Sequence, residues 1–301
     1  ILKRLDEVEQ LEAEIADLQD IVNNPSRVKK LIVDELQAVK KKYALPRRTE
    51  IVYEAADAAA EEPEDETPDY PVHVFCSREG YFKKITPQSL RMSGEQKYKE
   101  GDGPYLQWEA SNRDELLVFT DRQQCYKARL SDFDDAKASV LGDFLPTKLG
   151  MEPDEGFVWA CVTADYTGDV LFFFANGKVA RVALSAYQTQ TRRKRLTGAY
   201  SDKSPLAAAV HLREDTEMAV TSTEGRCVVF HTAALNPKTT RSTQGVNVMT
   251  LKPRYQVADA RPLADTPIVN AARYRARSLP IAGMLLKDED REEKQMTLLD
   301  E

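Results

Sequence analysis

Apolar residues recur at steps of three and four from the start of the chain: Ile1, Leu5, Val8, Leu11, Ile15, Leu18 and Val22, with Glu, Asp and Lys between them. That spacing places them on one stripe and predicts an amphipathic helix. Asn24 and Pro25 then supply an N-cap and a proline for the first helical position. Val28, Leu31, Ile32, Leu36, Val39 and Tyr43 form a second stripe, which Pro46 stops. A helical hairpin or kinked pair is expected over residues 1–53, and stripes this short favour packing within the chain over a partner seam. Residues 54–69 offer acid, alanine and proline without a large apolar residue until Tyr70. Such a stretch buries too little to offset its ordering entropy and predicts an acidic linker.

From Tyr70 the period changes from 3.6 to 2, and an internal repeat emerges. "VFCSREGYFKKI" (74–85), "VFTDRQQCYKARL" (118–130), "LFFFANGKVARVAL" (171–184) and "AVTSTEGRCVVFH" (219–231) share one plan: a short apolar strand, a polar turn, and a second strand carrying cations. Gly80, Gly177 and Gly225 suit a turn that needs positive φ, and Gln124 is assigned the matching place in the second unit, at some cost in strain. These positions lie 44, 53 and 48 residues apart, the period of propeller blades that must stack to bury their faces. Between the hairpins, "GPYLQWEA", "GDFLPTKLGM", "SPLAAAVHL" and "GVNVMTL" supply further strands. The expected fold is mainly β: a propeller-like domain of about four blades over 70–286, with Asp259 to Leu286 available as a closing piece. A β-sandwich or barrel with coincidental spacing is the alternative. Residues 287–301 form an acidic tail.

The net charge of −7 is unevenly distributed. Residues 1–70 carry 10 basic and 18 acidic side chains, residues 71–252 carry 24 and 22, and the rest 8 and 9. The middle is balanced overall, but its cations bunch, and local clusters set the field that a polyanion meets. Cys76, Cys125, Cys161 and Cys227 are far apart with no CxxC pair, which favours small apolar strand residues over a metal or disulfide role. His73, His211 and His231 make no triad or metal spacing, so a free-standing enzyme is disfavoured. No apolar run is long enough to span a bilayer and no signal peptide is recognisable, so a soluble, cytoplasmic protein is expected.

"VKKLIVDELQAVKKKYALPRRTEIV" (28–52) resembles the segment that ends the breakage-reunion core of bacterial type IIA topoisomerase A subunits, with an Arg-Arg-Thr signature after the helix. The four hairpins resemble the β-pinwheel that follows it in gyrase and topoisomerase IV A subunits, and "RSTQGVNVMTL" (241–251) is similar to its Thr-Gln-Gly-Val closing strand. The resemblance implies that this chain is the C-terminal part of something longer, in keeping with its opening at Ile1 inside a helical pattern. It implies that the cleavage residues lie upstream, so none is assigned here. ATP and Mg2+ would be held by the partner B subunit, with A subunits paired as a homodimer.

A pinwheel of this kind would offer duplex DNA a curved rim of cations, contacting backbone and not base edges. The candidate phosphate binders are Lys83, Lys84, Lys97, Lys99, Lys127, Arg129, Lys178, Arg181, Arg192, Arg193, Lys194, Arg195, Arg226, Lys238 and Arg241, with "TRRKR" (191–195) foremost. Where gyrase A carries a Gln-Arg-Arg-Gly-Gly-type wrapping box, this chain reads "EQKYKEGDG" (95–103), keeping Gln96 and Gly101 but placing Glu100 and Asp102 in the basic run. That favours a topoisomerase IV-like role in strand passage without strong wrapping; a gyrase A with a drifted box and a protein-binding propeller scaffold stand as alternatives. In the tail, Gln295, Leu298 and Leu299 resemble the short peptide that docks in the bacterial sliding clamp.

Overall fold

The computed structural model describes residues 2–45, 67–93, 95–189 and 194–291. The Arg-Arg-Thr signature, residues 54–66 of the expected linker, Arg192, Arg193, and the tail residues Gln295, Leu298 and Leu299 lie outside the described residues. The chain divides into two compact units, Ile1–Ala60 and Glu61–Glu301.

The first unit holds helices α1 (Leu2–Asn23) and α2 (Pro25–Tyr43). Asn24 caps α2 by accepting from the Ser26 N–H at 3.2 Å, with Pro25 following. Arg27 reaches back across the break to Asp17 at 2.8 Å and Asp20 at 2.5 Å. The helical pattern breaks at Asn24, and the stripes do not pack on each other: Leu5, Leu11, Ile15, Leu36 and Val39 are all exposed. The expectation of packing within the chain is therefore not met by the described residues of this unit.

The second unit is β. In chain order its strands are β1 (Pro71–Ser77), β2 (Tyr81–Ile85), β3 (Pro104–Ser111), β4 (Glu115–Thr120), β5 (Gln124–Arg129), β6 (Asp143–Phe144), β7 (Phe157–Thr163) and β8 (Asp169–Phe174). They continue with β9 (Lys178–Ala183), β10 (Arg195–Thr197), β11 (Leu206–Leu212), β12 (Glu217–Ser222), β13 (Arg226–His231), β14 (Val246–Asn247), β15 (Val257–Pro262) and β16 (Met284–Leu285). They form four antiparallel sheets, β3-β1-β2-β6, β7-β4-β5-β10, β11-β8-β9-β14 and β15-β12-β13-β16, the blades of a propeller-like ring. Each sequence repeat is the central hairpin of one blade. Residues 259–286 complete the fourth blade through β15 and β16 and add no fifth.

The order of strands along the chain is interleaved. The outermost strand of each of the first three blades, β6, β10 or β14, arrives only after the hairpin of the following blade has been laid down. Packing explains the composition of the hairpins. In β4, Leu116 and Val118 face the first blade while Leu117 and Phe119 face the third. In β8, Val170, Phe172 and Phe174 face the second blade and Leu171 and Phe173 the fourth. Strands buried on both faces read as continuous apolar runs, and these do. The outward faces of the end blades are covered by their own segments: Phe75 and Ile85 by Ala138 and by Leu90 of the short helix α3 (Pro87–Arg91), and Ala219, Cys227 and Val229 by Tyr274 and Leu286. Among the described residues, no apolar cluster joins the fourth blade to the first.

The turn chemistry needs one correction. Gly80, Gly177 and Gly225 have φ of +89, +83 and +80°, but in the second blade the positive φ, +54°, belongs to Gln123, and Gln124 is already the first residue of β5. The glycines that open the outermost strands are steric necessities. A Cβ on Gly142 would lie 2.2 Å from the Phe82 carbonyl oxygen, and one on Gly245 would lie 2.2 Å from that of Val179. The four cysteines are buried strand residues; burial pushes the thiols of Cys125 and Cys227 up to about 12, which leaves them unreactive.

Candidate nucleic-acid interface

The second strand of each hairpin carries a cation or its replacement at one fixed place: Lys84 in β2, Lys127 in β5, Arg181 in β9 and Val229 in β13. These side chains turn inward. Lys84, 3% exposed, donates to Asn112 Oδ1 at 2.7 Å and pairs with Asp135 at 3.3 Å. Lys127 pairs with Glu115 at 3.3 Å, donates to the Thr189 hydroxyl at 3.3 Å and lies over the Tyr166 ring. Arg181 binds Asp169 at 2.6 Å and Asp215 at 2.8 Å, and also donates to the carbonyls of Thr232 and Leu235. The Thr232 hydroxyl, together with Arg181, holds the Asp215 carboxyl below its ordinary range. In the fourth blade Arg275 takes over: it forks onto Glu217 at 2.6 and 2.8 Å, and this bond draws the Glu217 carboxyl down.

The expectation that these cations reach phosphate is therefore corrected for several positions. Lys83 is 2% exposed, donates to the carbonyls of Lys97 and Ala138 at 3.0 and 3.3 Å, and has its pKa lowered by burial. Lys83, Lys84, Lys127 and Arg181 are interior ties between each blade and its flanking segment. Arg226 is held by Glu224 at 3.0 Å and the Gly283 carbonyl at 2.9 Å. Lys99 and Arg195 are exposed but paired, with Glu79 at 2.7 Å and Glu152 at 2.9 Å.

Lys97, Arg129, Lys178, Lys194, Lys238 and Arg241 have no carboxylate within ion-pair distance among the described residues. Five of these six stand on the second and third blades, Arg129 and Lys194 on the second and Lys178, Lys238 and Arg241 on the third. A segment runs beside the second hairpin strand of every blade, marked by bridges from Lys84 to Asp135, Val182 to Lys238 and Val229 to Arg275, and by the Lys127 N–H donating to the Lys194 carbonyl. Along these flanks stand Asp135, Lys194, Lys238 and Arg275, from first blade to fourth. The first blade is acidic there, with Asp132 and Asp134 adjacent; in the fourth, Glu217 neutralises Arg275, while Arg273 and Arg277 beside it are exposed and have no carboxylate within ion-pair distance among the described residues. This order was invisible in the sequence, because the flanking segments share no motif.

The loop aligned with the wrapping box is fastened to the first blade. Lys83 grips the Lys97 carbonyl beneath the Tyr98 ring, and Asp102 Oδ1 accepts from the N–H groups of Glu79 and Gly103 at 3.1 and 2.8 Å. Burial pushes the Asp102 carboxyl up, but the Ser77 hydroxyl and these amides outweigh it and hold the group below its ordinary range.

No family model matches the chain. In sequence it is 25% identical over 300 residues to the DNA topoisomerase 4 A subunit of Staphylococcus epidermidis and 24% identical to that of Staphylococcus aureus, in each case over 98% of this chain. The match covers 37% of those proteins, so the chain spans little more than a third of the length of the curated relatives. Among solved structures, the C-terminal domain of DNA topoisomerase IV is similar with a TM-score of 0.58 at 21% identity, covering 66% of this chain and 63% of that one. The E. coli ParC C-terminal domain gives 0.54 at 13%, covering 72% and 94%. At such identities the structural likeness speaks for the fold. By sequence along nearly its whole length the chain resembles the A subunits of type IIA topoisomerases, and its four blades have the β-pinwheel fold of their C-terminal domains.

Proposed function

We propose that this chain is the C-terminal, DNA-binding and DNA-bending portion of a topoisomerase IV-like A subunit. In that reading it serves ATP-dependent strand passage, relaxation and decatenation, in an assembly of two A subunits with a B subunit that supplies the ATP and Mg2+ sites. The cleavage residues lie outside this chain, and the assembly is cytoplasmic and nucleoid-associated. The observation that carries the reading is the unpaired positive edge of the second and third blades, Lys178, Lys194, Lys238 and Arg241, on a pinwheel fold. Bending a duplex over such an edge costs on the order of several kcal/mol, which phosphate contacts and counterion release offset. The acidic flank of the first blade, Asp132, Asp134 and Asp135, supports a contact that does not run round the whole ring as a chiral wrap would. The fastened loop 95–103 supports the same choice over a gyrase-like role, since its lysine-bearing backbone is held against its own blade.

The test is the binding of a 40-base-pair duplex by this chain as KCl is raised. A steep linear fall of log affinity with log salt is expected. Absence of duplex binding at low salt would turn the assignment toward a protein-binding propeller. For the tail, binding of a 292–301 peptide to the sliding clamp, lost on Gln295→Ala, is expected; a native peptide that does not bind ends that part of the proposal.

A further inference from the structure

Between the outermost strand of the second blade and the turn that follows Lys238 in the third lies a cleft of about 540 Å³. Its lining includes Thr197, Gly198, Thr239, Thr240, Arg241 and Ser242, and no acidic residue among the described residues. The Arg241 guanidinium lies 5.9 Å from the centroid of the Tyr187 ring, which is fully buried and anchored by its hydroxyl donating to the Ala199 carbonyl at 2.6 Å. A guanidinium laid on a fixed aromatic plate is pre-oriented, so it loses little freedom when an oxyanion arrives. The turn beside it is closed by the Thr243 N–H donating to the Thr240 carbonyl at 3.4 Å, and the N–H groups of Arg241 and Ser242 have no acceptor among the described residues. Gly198, at φ +62° with open space where a Cβ would be, keeps the opposite wall low.

Hydroxyls, unclaimed backbone N–H groups and a planar cation without a counter-ion are the donor set that recognises a tetrahedral phosphate. A cleft on the first blade has the opposite chemistry: it is lined by Asp132, Asp134 and Asp135, and its cation, Lys84, is already bound. We propose that the cleft between the second and third blades is the seat of one phosphate group, which fixes the register of the ligand while Lys194 and Lys238 at its flanks hold neighbouring phosphates by charge alone. The inference rests on the duplex-binding reading only for the source of that phosphate, a nucleic-acid backbone. A free phosphate would use the same donors.

The experiment has two arms on the same 301-residue chain. In the first, affinity for a 40-base-pair duplex is measured against KCl for the native protein, Arg241→Gln, Arg241→Lys and the pair Thr239→Val with Thr240→Val. Arg241→Gln is expected to weaken binding about tenfold and to lower the salt slope by about one. Arg241→Lys should keep the slope but recover only part of the affinity, and the valine pair should lose affinity with the slope unchanged. In the second arm, inorganic phosphate is titrated at low salt while backbone amide resonances are followed, with shifts expected at Thr197, Gly198 and 239–242. Duplex binding that is indifferent to Arg241→Gln overturns the cleft and leaves the functional reading standing. Phosphate shifts in a protein that binds no duplex keep the cleft as a free-phosphate site and overturn the functional reading. Shifts absent from the cleft, with duplex binding absent as well, overturn both.

Discussion

Arg181 Nε donates to Asp169 Oδ2 at 2.6 Å across the hairpin of the third blade, with only 12% and 14% of the two side chains exposed. The pair joins the second strand of the hairpin to the first, and Arg181 passes on to Asp215 and two carbonyls of the next blade's flank. Removing one member leaves the other charge in poor solvent, which costs about 3 kcal/mol. Arg181→Met is therefore expected to lower the urea midpoint markedly while duplex affinity at the matched folded fraction stays native. A loss of affinity without a loss of stability would return Arg181 to the DNA surface.

Lys194 and Lys238 are expected to behave in the reverse way. Both are exposed and lack acidic partners among the described residues, so replacing both by Gln should leave denaturation unchanged and reduce the salt slope of duplex binding by about two. Lys83→Gln, which removes one lysine charge from the interior, should destabilise without altering the slope. Identical slopes for all variants would dissolve the distinction drawn between interior and edge cations.

Gly245→Ala introduces a Cβ 2.2 Å from the Val179 carbonyl oxygen at a φ of +71°. The backbone must shift or the outermost strand of the third blade must detach, a loss of about 2 kcal/mol. Gly150→Ala, at φ +64° with open space around it, is the control and should cost less. Equal costs at the two sites would mean that conformation alone matters there.

Asp290 is buried beside the fourth blade and accepts from the Tyr274 hydroxyl at 2.6 Å and the Val269 N–H at 2.8 Å. The Tyr274 bond leads the causes that hold its carboxyl below the ordinary aspartate value. A depressed carboxylate stabilises the fold fully above its unfolded pKa, near 3.9, and that contribution is lost as pH falls through the folded value. Urea midpoints measured from pH 6 downward should therefore fall below about pH 4, and Asp290→Asn should flatten that part of the profile. A parallel profile in the variant would assign the acid sensitivity elsewhere.

The hairpins were legible in the sequence because each is local: two short apolar runs and a turn whose glycine announces its φ. The one slip, Gln124 for Gln123, fell where two identical letters stand side by side and no glycine marks the turn. The cations were legible as a repeat but not as to direction. Lys84, Lys127 and Arg181 recur on schedule, yet whether they face solvent depends on Asp135, Glu115 and Asp169, partners supplied by other strands and flanks. The cleft left a fainter trace, the run "PKTTRST" at 237–243, in which hydroxyls and cations crowd between two strands. It became meaningful only when Tyr187 was found beneath Arg241.

The late arrival of β6, β10 and β14 bears on how the molecule is made. A ribosome delivering this chain cannot release a finished blade until the successor's hairpin has emerged, so assembly trails synthesis by one unit throughout. Excising an internal blade by cutting at its hairpin ends would strand an edge on either side, so insertions, deletions and swaps in such a ring must respect a window that overlaps two neighbours. The fourth of these units is exempt: both its flanking strands follow its own hairpin with no other hairpin in between, so it closes without waiting for a successor.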